Sequence, residues 1–133
     1  LSYVKGQAGV DINPDLIDLA RLMHHHQGRE FHLGDARALP LADKSFDTVM
    51  LTDGIEHLDW EDVPQAISEA LRVSRRRVLL TVPDGEMDTP EARRPNHHYL
   101  LTADRLERIV SWLKPATAKH HAPFVFIRAD LKG

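Results

Sequence analysis

Residues 34–58 read GDARALPLADKSFDTVMLTDGIEHL, and the fold follows from how this stretch divides. Gly34-Asp35 is a turn dipeptide closing a short strand-like segment, Glu30 to Leu33. Ala38 to Ser45 carries Pro40 and polar residues and reads as loop. Phe46 to Thr52 is an apolar run of strand length, suited to the buried centre of a sheet. Polar residues Asp53, Glu56 and His57 follow directly at its carboxyl end.

Working outward, the same alternation continues on both sides. Ala8 to Ile12 is a short apolar run ending in Asn13-Pro14, where Asn13 suits a helix cap and Pro14 a first turn. Leu16, Ile17, Ala20 and Met23 then recur at helical spacing, and His24 to Gly28 reads as helix end and turn. Downstream, Glu61 to Val73 sets Val63, Ala66, Ile67, Ala70 and Leu71 on one face of a helix, with Pro64 tolerated in its first turn. Arg77 to Val82 is a further strand stopped by Pro83, and Asp84 to His98 is a long polar loop. Thr102 caps a helix with Ala103, Leu106, Ile109, Val110 and Leu113 inward, and Phe124 to Arg128 is a last strand. Four or five strands alternating with three helices predict an α/β protein, its sheet mainly parallel and flanked by helices.

The 133 residues make one domain, 1–133, and leave no room for a second. Hydrophobic residues at 42% and charged residues at 28% are the balance of a globular protein. Seventeen Lys and Arg against twenty Asp and Glu give a net charge of -3, which argues against a protein that coats nucleic acid and leaves only a local basic patch open. With no Cys there is no disulfide framework, thiolate metal site or cysteine nucleophile, and a cytoplasmic location is expected. No apolar run approaches the roughly 20 residues of a membrane-spanning helix, so no membrane partner is expected. The first residue is Leu1, not Met.

Two acids stand at strand ends, where open α/β sheets bind ligands. Asp11, with Ile12 beside it, ends the first strand and can accept both hydrogen bonds of a ribose diol; an Asp there can equally cap the following helix. Asp35 ends the second strand. Its carboxylate can accept from an exocyclic amine while the Ala36 N–H donates to a ring nitrogen, together reading an adenine edge, although Gly-Asp is also a common turn.

The segments VDINPDLIDLAR, GDARALPLADKSFDTVMLTDGIEHL, RRRVLLTVP and HHYLLTADRLERIV occur in this order through nearly the whole chain. They resemble the class I S-adenosylmethionine-dependent methyltransferases, particularly the branch acting on small molecules. The resemblance implies a Rossmann-like fold and S-adenosyl-L-methionine as cofactor. It also implies Asp11 on the ribose hydroxyls, Asp35 and Ala36 on the adenine, and Thr52, Asp53 and Gly54 near the methionine side. One hallmark of the family is missing. Its first strand and glycine-rich loop should precede Asp11 by roughly 20 residues, yet Lys5-Gly6-Gln7-Ala8-Gly9 has neither that spacing nor a strand before it. The expectation is a chain truncated at its N-terminus.

His57 is the candidate catalytic base, needed only where the acceptor must lose a proton, and it can equally serve as a cap at a helix start. A metal reading stands beside this one. Asp53, Glu56 and His57, with His97 later, resemble the ligand set of metal-dependent RNA 2′-O-methyltransferases, whose cation would lower the pKa of a hydroxyl. Trp60, Trp112 and Tyr99 are candidates for an acceptor pocket or for core, and the Asp84 to Tyr99 segment for its cover. The Arg75 to Arg77 run reads as a solvated turn, and His24 to His26 as a solvated helix end. The expected activity is methyl transfer to an oxygen, nitrogen or carbon of a small-molecule acceptor by a monomer or homodimer. A non-catalytic binding module of the same fold is the rival from another class.

Overall fold

A computed structural model describes residues 6–25, 28–52, 54–84 and 101–132. The first half forms a β-α-β unit: β1 (Gln7–Asp11), α1 (Pro14–His24) and β2 (Arg29–Leu33), with β1 and β2 parallel from Gln7↔Arg29 to Asp11↔Leu33. Asn13 caps α1, its Oδ1 accepting the Asp15 N–H at 2.9 Å, and Pro14 occupies the first turn where no N–H partner is needed. The alternative role of Asp11 as the helix cap therefore falls to Asn13.

The second half is a four-stranded sheet in the order β3-β4-β6-β5, built from β3 (Phe46–Thr52), β4 (Ser74–Pro83), β5 (Ala116–His121) and β6 (Phe124–Asp130). β3 and β4 are parallel, and β6 and β5 join them antiparallel. α2 (Val63–Val73) connects β3 to β4, and α3 (Ala103–Trp112) precedes β5. Val78, Leu80 and Val82 of β4 and Val125, Ile127 and Ala129 of β6 alternate onto one face. That face is buried against Val63, Ile67 and Ala70 of α2 and Ile109 of α3, which form the core. Among the described residues β1 pairs only with β2 and β3 only with β4, so each keeps one edge without a strand partner.

Two local readings are corrected. β5 was not expected, because its sequence ATAKHH has no apolar run; it is an edge strand with mostly exposed residues, held by its ladder to β6 rather than by burial. The Arg75 to Arg77 run is no turn: β4 begins at Ser74 and includes all three. Arg75 Nε binds Asp47 Oδ1 at 2.8 Å and Arg77 Nε binds Asp130 Oδ1 at 2.8 Å, so neighbouring strands supply the counter-charges that let the arginines lie in a strand.

Candidate functional site

The register of β1 and β2 sets Asp11 opposite Leu33, so Asp11 and the Gly34-Asp35 turn share one end of the sheet. The Gly34 N–H donates to the Asp11 carbonyl at 2.9 Å, carrying the pairing one residue beyond the strands. Gly34 is needed there by space: a Cβ would lie 2.8 Å from Pro40 Cδ and 3.0 Å from Val10 Cγ1. The Asp11 side chain is half-buried, and its Oδ1 accepts the Asn13 N–H at 2.8 Å. Ile12, beside it, is 69% exposed.

Asp35 is held far more tightly. Its Oδ1 accepts the Arg37 backbone N–H at 2.8 Å and Arg37 Nε at 3.0 Å, and its Oδ2 accepts Arg37 Nη2 at 2.7 Å. These Arg37 bonds hold the Asp35 carboxyl below the usual carboxylate range. The remaining arm of the guanidinium, Nη1, binds Asp62 Oδ2 at 2.7 Å, just before α2, and the Arg37 carbonyl accepts Gln65 Nε2 at 3.1 Å. A second strap follows. Glu69 Oε2 accepts the Leu39 N–H at 2.7 Å, while Arg72 binds Glu69 and donates to the carbonyls of Leu39 and Leu41 at 3.0 and 2.8 Å. Arg72 lowers the Glu69 carboxyl pKa, outweighing burial, which would raise it. The loop after Asp35 is thus bound along the side of α2 by charge-assisted bonds.

A third group lies at the carboxyl end of β3, where Thr52 stands opposite Thr81. Gly54 opens a 3-10 turn, Ile55–His57, closed by the His57 N–H on the Gly54 carbonyl at 3.2 Å. Glu56 is buried, 3% exposed, and His57 is about one third exposed with its Nε2 3.9 Å from Glu56 Oε1. The turn places an imidazole at the strand end beside a buried carboxyl group. Asp53 and His97 lie outside the described residues, as do Tyr99 and all of the expected covering segment except Asp84. Among the described residues no three His, Asp or Glu side chains gather as metal ligands would. Trp60 and Trp112, both partly buried, pack on each other at 5.5 Å and against the core, with Arg105 5.0 Å over Trp60. A hollow of about 490 Å³ lies on the other face of the four-stranded sheet, lined by Met50, Thr52, Leu79, Thr81, Phe126 and Arg128 among others.

Sequence reasoning placed Asp11, Asp35, Thr52, Gly54 and His57 at strand ends, and that is where the structure has them. It missed Arg37, Asp62, Glu69 and Arg72. Arg37 lies 25 residues from Asp62, and Arg72 lies 33 and 31 residues from the Leu39 and Leu41 carbonyls it holds, links made by the path of a loop that carries no periodicity.

A Rossmann-like sheet with acids at two successive strand ends is the architecture of the class I S-adenosylmethionine-dependent methyltransferases. Residues 2–82 match the methyltransferase domain family, and the chain belongs to it. Among curated proteins it is 48% identical over 67 residues to a fatty-acid O-methyltransferase of Mycolicibacterium smegmatis (strain ATCC 700084 / mc(2)155). That alignment takes in 50% of this chain and 24% of the relative, so the chain spans about a quarter of that protein's length. The fold is similar to that of the PH0226 protein from Pyrococcus horikoshii OT3, with a TM-score of 0.77 at 21% identity over 96% of this chain and 72% of that one. It is also similar to a possible histamine N-methyltransferase from Thermotoga maritima, with a TM-score of 0.71 at 18% identity over 99% and 84% of the two chains. No helix among the described residues is long and apolar enough to cross a membrane.

Proposed function

We propose that the chain carries the nucleoside-reading part of a methyltransferase that moves a methyl group from S-adenosylmethionine to an oxygen of a small-molecule acceptor. The observation that carries this reading is the pair of acids at neighbouring strand ends, Asp11 and Asp35, inside the stretch matched by the family. The donor set suits the cofactor's nucleoside. Asp11 keeps an oxygen with no donor among the described residues, as a ribose diol requires. Asp35, whose two oxygens already accept from Arg37, and the Ala36 N–H, which has no acceptor among the described residues, would together meet the donor and acceptor of an adenine edge. Thr52 and Gly54, with Asp53 between them, would border the methionine side.

When bound, the cofactor supplies an electrophilic methyl group on a sulfonium, which passes to the acceptor's lone pair as the carbon–sulfur bond breaks. The protein's share is alignment at the strand ends. His57, partly exposed at the β3 end, would take the proton of a hydroxyl acceptor at its imidazole. A carboxylate acceptor reaches the site already ionised and needs no base. The similarity to a fatty-acid O-methyltransferase favours that second case.

The test is calorimetric titration with S-adenosylhomocysteine, followed by transfer of labelled methyl to fatty acids and to alcohols of matched length. Asp11→Ala is expected to weaken nucleoside binding by about 1.5 to 3 kcal/mol through lost charged hydrogen bonds; unchanged affinity would reject the ribose role. His57→Ala should slow transfer to an alcohol by about 100-fold while sparing transfer to a carboxylate. Equal rates on both acceptors would remove His57 as a base.

A further inference from the structure

We infer that His120, fixed by Asp84, is a specificity-determining residue on the acceptor side of the site, and that its outward Nε2 meets a hydroxyl which the acceptor carries away from the oxygen being methylated. The inference rests on the proposed reading of a small carboxylate acceptor at the end of β3. It adds a second polar group to that acceptor and the residue that reads it.

The Asp84–His120 pair is built at the same edge of the sheet as Thr52 and His57. β4 runs parallel to β3 and ends at Pro83, and the Asp84 N–H donates to the Pro123 carbonyl at 2.9 Å, in the turn that joins β5 to β6. His120 on β5 stands opposite Val125, and Val125 opposite Val82. Residues directly opposite one another share a face. His120 therefore faces the side on which Val82 and Val125 are buried together with Ile55, of the turn that carries His57. His121, next along the strand, faces the other side, edge-on to Phe126 at 6.3 Å.

Asp84 draws the imidazole back from the outermost strand toward the end of β4. His120 Nδ1 donates to Asp84 Oδ2 at 3.3 Å, since a carboxylate only accepts. The carboxylate is the covered partner, its side chain 13% exposed against 62% for the imidazole. With Nδ1 engaged, Nε2 is turned away from Asp84, and among the described residues it has no partner. The straps on the loop after Asp35 are different, because Arg37 and Arg72 commit all their guanidinium nitrogens to protein acceptors. His120 is held by one nitrogen and offers the other. Its imidazole stands about two strand spacings, roughly 10 Å, along the edge from β3. An acceptor whose carboxylate lies at the end of β3 reaches it with a hydroxyl at that span, and a hydroxyl both donates and accepts.

The experiment follows the histidine imidazoles of the 133-residue chain by NMR with S-adenosylhomocysteine present. Straight-chain carboxylic acids and their terminal hydroxy counterparts are titrated in, in lengths that bracket about 10 Å. The His120 signal is assigned by its absence from His120→Gln. The hydroxy acid that spans the gap is expected to bind about three- to tenfold tighter than its parent acid and to move the His120 signal, which the parent acid leaves in place. His120→Phe should abolish that preference and spare the parent acid, and His121→Phe should keep the preference. Asp84→Ala should remove most of it, while Asp84→Asn, which retains an oxygen for Nδ1, should restore part; a mere brace for the hairpin would change both acids alike. Equal binding of the two acids at every length, a His120 signal that moves alike with both, or equal losses for both in His120→Phe overturns the inference and leaves the carboxylate acceptor standing. Failure of both acids to bind overturns the proposed acceptor, and this inference with it.

Discussion

The β1-α1-β2 unit and the four-stranded sheet have similar proportions of apolar residues and very different interiors. Of the fifteen buried apolar residues among those described, only Ile17 belongs to the first; the others lie in the sheet, in α2, in α3 and its C-cap Leu113, and in the 3-10 turn between β3 and α2. On α1, Leu16, Leu19, Leu22 and Met23 are all at least half exposed, whereas α2 buries Val63, Ala66, Ile67, Ala70 and Val73. The lesson is that the candidate nucleoside-reading acids, Asp11 and Asp35, sit on the thinly packed half. The loop beyond Asp35 is held by polar straps to a helix of the densely packed half.

The largest effect that can break this comparison is a core truncation. Leu80 is 1% exposed in the middle of β4, and Leu80→Ala should cost about 2 to 5 kcal/mol in urea denaturation, through lost transfer energy plus the cavity left behind. Leu22, 72% exposed on α1, should change stability by less than about 0.5 kcal/mol when replaced by Ala. Comparable costs at the two sites would mean that α1 is covered in solution, and the contrast between the halves would disappear.

That contrast also marks how far the sequence could be read. The apolar periodicity of Val63, Ala66, Ile67 and Ala70 identified both a helix and its buried face, because a sheet stands behind it. The same periodicity on α1 identified the helix but not its burial. Leu16 and Met23, which share that spacing, are 50% and 65% exposed, since only two strands lie beneath the helix to cover them. Asn13 was legible as a cap because capping is local chemistry. β5 was not, because an edge strand owes its existence to a ladder with a neighbour that no local pattern announces. In the site, the acids at strand ends were legible from the alternation of strand and turn. The arginines that tie the loop after Asp35 to α2 were not, because the links across the loop, Arg37 to Asp62 and Arg72 to the Leu39 and Leu41 carbonyls, join residues far apart in sequence.

The next effect down tests the straps directly. Glu69, 13% exposed at its side chain, binds the Leu39 N–H and two nitrogens of Arg72. Glu69→Ala should cost about 1 to 3 kcal/mol, since it removes charged hydrogen bonds and leaves a partly buried N–H without its acceptor. Hydrogen exchange should show the lost protection concentrated at residues 39–43 and not in β4. A uniform loss across the sheet would mean that the loop is integral to the core and not strapped to it.

The smallest effect is in the acid limb of stability, and its sign follows from the same bonds. Asp35 and Glu69 both have pKa values lowered in the folded chain, chiefly by side-chain bonds from Arg37 and Arg72. A carboxylate with a lowered folded pKa contributes stability above its unfolded value, about 4, and loses it as pH falls through the lower folded value. The straps should therefore hold from neutrality to about pH 4 and weaken below it, whereas the apolar core has no such dependence. Denaturation midpoints measured from pH 6 downward should fall more steeply in the wild-type chain than in Glu69→Gln, which cannot titrate at that position. Because the strapped loop begins at the Gly34-Asp35 turn, exchange at residues 35–43 should open at a higher pH than exchange in β4. A single acid transition shared by both segments would show that the polar straps and the apolar core act as one cooperative unit.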